Sequence, residues 1–209
     1  MKNMRVSNKA ILLVSLVLVS LLSISTLAYF IAEDQMINVI NTGSVDIKVD
    51  ENFNPPDNWD GSKHTKEVSI KNESKSPALI RVNITPRWED ENGKPYLGDT
   101  NLVKLNFVNL IAALNEVEYP INDNKWVKGN DGYYYYNTVV GTGLNTERIL
   151  NSVELLIPGE LKEIYDKKKL KIYVKAEAIQ ATTDAHRAAW SNINDDSNIQ
   201  KMLDKMCAR

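Results

Sequence analysis

The 209-residue chain is poor in the residues that usually anchor chemistry. It has one cysteine, Cys207, near the C-terminal end. An intramolecular disulfide is excluded, so an exported domain of this kind must be held by its core or by its partners. A single cysteine pairs between chains, reacts or is incidental. Histidine is almost as scarce: His64 and His186 are the only two, too few for a His-rich metal site. The chain has no basic block, so nucleic acid finds no electrostatic footprint. It lacks a His-Glu-x-x-His helix, a Gly-x-Ser-x-Gly elbow and a phosphate-binding glycine loop. Its acidic loops, at Asp57–Asp60, Glu89–Glu91, Asp131 and Asp195–Asp196, do not have the ligand spacing of a calcium loop. The expectation is a protein with no catalytic residues, no cofactor and no metal. Internal repeats and low-complexity tracts are also missing.

What is present begins with an address. Lys2, Arg5 and Lys9 form a positive segment with no acidic neighbour. An uncharged, mostly apolar run from Ala10 to Ala28 follows, and it ends in Thr26-Leu27-Ala28. That small-x-small ending fits a signal peptidase. Residues 1–28 therefore read as a cleavable signal peptide, cut between Ala28 and Tyr29. The run approaches the lower bound for a membrane span, so an uncleaved anchor is the competing reading. Both place the rest of the chain outside the cytoplasm, with membrane contact confined to the signal segment. Removing three of the 25 basic residues, against 27 acidic ones, leaves an acidic remainder, which favours solubility. Its length suits one domain with a substantial core.

Residues 29–43 make an unusual prelude. Met36, Ile37, Val39 and Ile40 are apolar, yet they precede the first well-bounded strand. That strand, Ser44–Asp50, alternates Val45, Ile47 and Val49 with charged residues, the mark of one buried and one wet face. Asn52–Gly61 reads as a loop. Further strands are expected at Lys66–Lys71, Ala78–Trp88, Lys125–Lys128, Tyr133–Val140, Ser152–Ile157 and Leu170–Ala178. Asn92-Gly93 marks a tight hairpin turn. Leu102–Leu114 is ambiguous between strand and helix. A helical turn or two follows Pro158-Gly159, through Leu161, Ile164 and Tyr165. Many short strands with turns between them argue a sandwich or jelly roll. After Ala181 the period changes. Asp184–Trp190 reads as a short helix. In Asp195–Met206, residues Ile199, Met202, Leu203 and Met206 fall at helical spacing, with Asp195 or Asp196 as the cap. The expected fold is mainly β: a jelly-roll β-sandwich over 44–181, short peripheral helices, and a helical tail over 182–209.

Tyr133–Tyr136 places alternate tyrosines on opposite faces of a strand. One pair belongs in the core; the other lies on the surface or meets a neighbouring chain. Asn72-Glu73-Ser74 and Asn83-Ile84-Thr85 match the N-glycosylation pattern, read here as chance because the signal peptide is of bacterial type.

Several segments together resemble the TasA/camelysin-like family. They are Thr26-Leu27-Ala28-Tyr29-Phe30, the stretch to Thr42-Gly43-Ser44-Val45-Asp46-Ile47, Ile70-Lys71-Asn72-Glu73-Ser74, and Ala78–Trp88. Asp131-Gly132-Tyr133-Tyr134-Tyr135-Tyr136 and Ala176-Glu177-Ala178-Ile179-Gln180-Ala181 resemble its clostridial branch, the BsaA-type SipW-dependent biofilm matrix proteins. The resemblance implies a jelly roll exported with a SipW-like signal peptidase from a gram-positive bacterium. It implies a secreted, cell-surface fibre or pilus of the biofilm matrix, a homopolymer built by donor-strand complementation. In such fibres the N-terminal segment of one copy completes the sheet of the next. The implied donor residues are Tyr29, Phe30, Ile31, Met36, Ile37, Val39 and Ile40, with Ile37 and Val39 on the buried side. An apolar segment freed by cleavage has nothing local to pair with, and an open sheet edge elsewhere has unpaired backbone groups. Strand addition satisfies both, head to tail, without closing. Two rival readings are a secreted camelysin-like metalloprotease, for which no zinc-ligand set is visible, and a monomeric surface adhesin or binding module. A Lys–Asn crosslink between subunits is a further possibility to which no residues are assigned.

Overall fold

The alternation read in the sequence becomes two sheets that share one core. The computed structural model describes residues 31–34, 37–41, 45–54, 59–111, 119–165, 167–191, 193 and 197–207. The signal segment, the cut between Ala28 and Tyr29, and Phe30 and Met36 of the prelude lie outside these residues. The strands are β1 (Ile31–Asp34), β2 (Ile37–Asn41), β3 (Ile47–Phe53), β4 (His64–Asn72), β5 (Ala78–Glu89), β6 (Pro95–Tyr96), β7 (Val103–Phe107), β8 (Trp126–Lys128), β9 (Tyr134–Tyr136), β10 (Leu150–Leu155) and β11 (Lys169–Gln180). Three helices are described: α1 (Lys162–Tyr165), α2 (Ala185–Ala189) and α3 (Ser197–Cys207). None is long and apolar enough to cross a membrane.

The larger sheet runs β1-β2-β11-β5-β9-β8, with β6 also on β5; the smaller runs β3-β4-β10-β7. All pairings are antiparallel except β2 on β11, which is parallel. The chain is mainly β, as the periodicity implies.

Inward residues of both sheets meet in the main core. Ile47, Val49, Val68, Ile70 and Leu150 come from the smaller sheet. Ile80, Val82, Ile84, Tyr134, Tyr136, Val174, Ala176 and Ala178 come from the larger. Each large apolar side chain removed from water contributes about 1.5–3 kcal/mol. The turn expected at Asn92-Gly93 forms: the Gly93 N–H donates to the Asp90 carbonyl at 3.0 Å, and Gly93 has φ +80°. That conformation favours glycine.

Several boundaries move, each for a local reason. The strand expected over Tyr133–Val140 is only Tyr134–Tyr136. Buried Asn137 ends it, because its side chain takes over the hydrogen bonding. Its Oδ1 accepts from the Lys125 N–H and its Nδ2 donates to the Pro120 carbonyl. β3 runs on into the expected loop as far as Phe53, whose ring lies under the Lys66 ammonium at 4.2 Å. The first half of Leu102–Leu114 is strand β7; residues 112–118 are outside the described set. α3 begins at Ser197, and the expected caps Asp195 and Asp196 are likewise outside it.

The outer face of the larger sheet is not a wet face at one end. Leu79, Val127, Tyr135 and Ile179 pack beneath Trp190, Ile193 and the α3 residues Ile199, Met202, Leu203 and Met206. The helical tail is therefore part of the folded body, with its apolar stripe on the sheet.

Candidate functional site

β11 is the strand on which the candidate site is built. One of its edges is paired with β5 along all twelve residues, Lys169 to Gln180. The other carries β2 only from Val174 to Ala178. Ile37 lies opposite Val174, Val39 opposite Ala176 and Asn41 opposite Ala178. Those three β11 side chains point into the sandwich core. β1 pairs in turn with β2, from Ile31 opposite Ile40 to Asp34 opposite Ile37. The implied donor residues thus fall on a two-strand ribbon at the sheet edge, Ile31 in β1 and Ile37, Val39 and Ile40 in β2. Tyr29, Phe30 and Met36 are outside the described residues.

One expectation fails. The prelude was to have nothing local to pair with, but it pairs with β11 of its own chain. The reason is parity: Ile37 and Val39 share the two-residue period of their register partners Val174 and Ala176.

A second constellation lies on the outer face of β5 and β11. Arg81 and Glu177 are register partners. Arg81 donates from Nε and Nη2 to Glu177 Oε2, at 2.8 and 2.6 Å. Its Nη1 donates to the Tyr135 hydroxyl at 3.0 Å and lies 3.3 Å from Asp131 Oδ2. The guanidinium sits over Tyr133, 4.0 Å from the ring centroid, and 4.8 Å from that of Trp190. Glu177 Oε1 accepts from the Tyr133 hydroxyl at 2.6 Å and pairs with Lys175 at 2.8 Å. Burial alone would raise the Glu177 pKa, but Lys175, Tyr133 and Arg81 hold it below the usual carboxylate range. Burial, with the Tyr133–Glu177 bond, pushes the Tyr133 phenol up. Both tyrosine pairs are therefore covered, Tyr134 and Tyr136 by the core and Tyr133 and Tyr135 by the Arg81 network and Trp190. Every polar atom of Arg81 named here faces a partner, which fits a structural pin better than a binding pocket.

The acidic loops resolve as turn makers. Asp60 Oδ1 accepts from the Ser62 N–H, and Asp90 Oδ1 from the N–H groups of Asn92 and Lys94. Asp57, Asp195 and Asp196 are outside the described residues. Among those described, no group of three His, Cys, Asp or Glu residues has metal-site geometry. The glycosylation pattern at Asn72 is closed by burial. Its Nδ2 donates to the carbonyls of Ser76 and Val140, and its Oδ1 accepts from Ser74.

Lys167, Lys168 and Lys169 are consecutive. Lys168 lies over Tyr96 at 4.5 Å, Lys169 donates to the Glu91 carbonyl, and Lys171 pairs with Glu89 at 3.0 Å. Lys168 is half-buried, and Lys167, Lys169 and Lys171 are exposed.

Sequence reasoning missed the Arg81–Glu177 network and the contacts of His186. The only available signal was a pair of oppositely charged residues on the outward parity of two expected strands. No family model, no curated protein and no solved structure matches the chain.

Proposed function

We propose that this chain is a structural subunit of an extracellular fibre. It polymerises head to tail when the N-terminal ribbon of one copy takes the β11 edge of the next. The observation that carries the reading is the parallel pairing of β2 with β11. The ribbon forms one end of the larger sheet, in the order β1-β2-β11. Its backbone hydrogen bonds with β11 are the same whether β2 comes from this copy or another. Exchange of an identical element between copies costs little in contacts, and its head-to-tail geometry does not close.

The rest of the reading follows the resemblance: a secreted matrix protein of a gram-positive bacterium, freed by a SipW-like signal peptidase, and not an enzyme. The sandwich is proposed to be a jelly roll. β11 between β2 and β5, and β10 between β4 and β7, are the non-consecutive neighbours that Greek-key winding produces.

The test is deletion of residues 29–40 with the signal retained. The expected product is a folded, soluble monomer with no fibres in negative-stain electron microscopy. A peptide spanning residues 29–43 should bind it. Fibres formed by the deletion variant sink the reading.

A further inference from the structure

The outer face of the larger sheet has two ends. At one, α3 packs on Leu79, Tyr135 and Ile179. At the other, past Arg81 and Glu177, β5 presents Asn83, Thr85, Arg87 and Glu89 opposite Lys175, Tyr173, Lys171 and Lys169 of β11. Period-two geometry puts these β11 side chains on one side, about 7 Å apart along the strand. Arg87, Lys169 and Lys171 are exposed, and Lys175 is half-buried.

Each of these cations is positioned by the fold. The Arg87 guanidinium lies 5.0 Å from the centroid of the Tyr173 ring. Lys169 Nζ donates to the Glu91 carbonyl at 3.1 Å. Lys171 Nζ lies 3.0 Å from Glu89 Oε2, and Lys175 Nζ 2.8 Å from Glu177 Oε1. A guanidinium stacked on a ring keeps its edge for a carboxylate. The Lys171 ammonium keeps donors beyond the one that meets Glu89. The carboxylates on this face do not balance the cations. Glu89 and Glu177 are both 5% exposed, and Glu177 is shared with Arg81, which also faces Asp131. Arg81, Arg87, Lys169, Lys171 and Lys175 thus stand against Asp131, Glu89 and Glu177, on a chain whose net charge is −2.

We propose that this strip binds an anionic polysaccharide. Its uronate carboxylates lie on Arg87, Lys169, Lys171 and Lys175. Thr85 Oγ1, which donates to Asn83 Oδ1 at 2.7 Å, keeps its lone pairs for a sugar hydroxyl. Other partners fit less well. Single-stranded nucleic acid stacks on open aromatic faces, but Arg87 lies on Tyr173 and Arg81 on Tyr133. A lipid surface takes up apolar side chains, and the outward positions here are charged or polar. A second copy would need an acidic face, but the outer face of the smaller sheet sets Lys48, Lys71 and Lys104 among Asp50, Glu67 and Glu154. The proposal rests on the sandwich alone and not on fibre assembly.

The test titrates the purified protein with oligogalacturonate by isothermal calorimetry. Saturable binding is expected, weakening as added salt screens the charges, with none to the uncharged galactose oligomer. Arg87→Glu combined with Lys169→Glu should weaken binding about tenfold or more. If circular dichroism shows that variant unfolded, Arg87→Gln with Lys169→Gln replaces it, with an expected loss of about threefold or more. Lys48→Glu with Lys104→Glu makes the same change in net charge on the other sheet, and should leave the affinity within about twofold. Absence of binding overturns the proposal. So does an affinity that ignores salt, an equal loss in the two charge-reversal variants, equal affinity for the uncharged oligomer, or tighter binding to single-stranded DNA or to vesicles of anionic lipid.

Discussion

Arg81 and Glu177 face each other across β5 and β11, and two guanidinium nitrogens of Arg81 converge on one oxygen of Glu177. Both side chains are more than nine-tenths buried. The pair joins the two central strands of the larger sheet, and Asp131 and Trp190 extend it to the β8–β9 hairpin and the tail.

Breaking that pair should be costly, because removing Arg81 takes the guanidinium from two largely buried carboxylates at once, Glu177, which keeps Lys175, and Asp131. Arg81→Ala is expected to lose about 3–5 kcal/mol of stability. Urea denaturation checks the value. A loss under about 1 kcal/mol would mean that the pair is solvated as surface ion pairs are.

The same pair sets a response to acid. The folded-state pKa of Glu177 is depressed. Its contribution is complete above the ordinary glutamate range and is lost as pH falls through the folded value. Wild-type stability should fall below about pH 4.5, and Glu177→Gln should be less stable at neutral pH with a shallower decline in acid. Denaturation midpoints measured across that range check it; parallel profiles for the two proteins would contradict it.

The tail should behave as core. Leu203 is 1% exposed on α3 and packs over the sheet. Leu203→Ala is expected to cost about 2–5 kcal/mol, read by chemical denaturation. A change within about 0.5 kcal/mol, the usual range for surface sites, would place the helix off the sheet.

Asn72 links the end of β4 to two loops through Ser74, Ser76 and Val140. Asn72→Ala leaves buried backbone groups unpaired and should lose about 3 kcal/mol. Thermal denaturation gives the measure, and a Tm within about 2 °C of wild type would contradict the assignment.

Much of this fold was legible because period-two alternation is a local signal. Ile80, Val82 and Ile84, and Val174, Ala176 and Ala178, declare their shared face without any knowledge of the partner strand. What alternation does not carry is what lies on the outward face. Leu79, Arg81, Glu177 and Ile179 read as solvent-facing; Leu79 and Ile179 are buried under a helix more than a hundred residues after Leu79, and Arg81 and Glu177 within their own network with Tyr133, Asp131 and Trp190. The tyrosine run illustrates both halves: its split between two faces follows from geometry, while the burial of Tyr135 depends on Trp190, and Tyr133 stays half-buried. Turn chemistry at Asn92-Gly93 was readable, whereas the strand end at Asn137 was not, since it depends on a side chain reaching Pro120. Of the candidate site, the apolar prelude was visible. Its position beside β11 of the same chain was not, because strand pairing is a long-range choice.

The central claim is that β2 sits on its own β11 in the monomer and on another copy's β11 in the fibre. Val39 and Ala176 are register partners, so a cysteine pair there reports which copy supplies the strand. Val39→Cys and Ala176→Cys are combined with Cys207→Ser, and oxidised samples are run on denaturing gels without reductant. Monomer should yield a single chain with an internal disulfide, and fibres should yield a ladder of covalent multimers. Fibres that dissolve entirely into internally bridged single chains would contradict strand exchange.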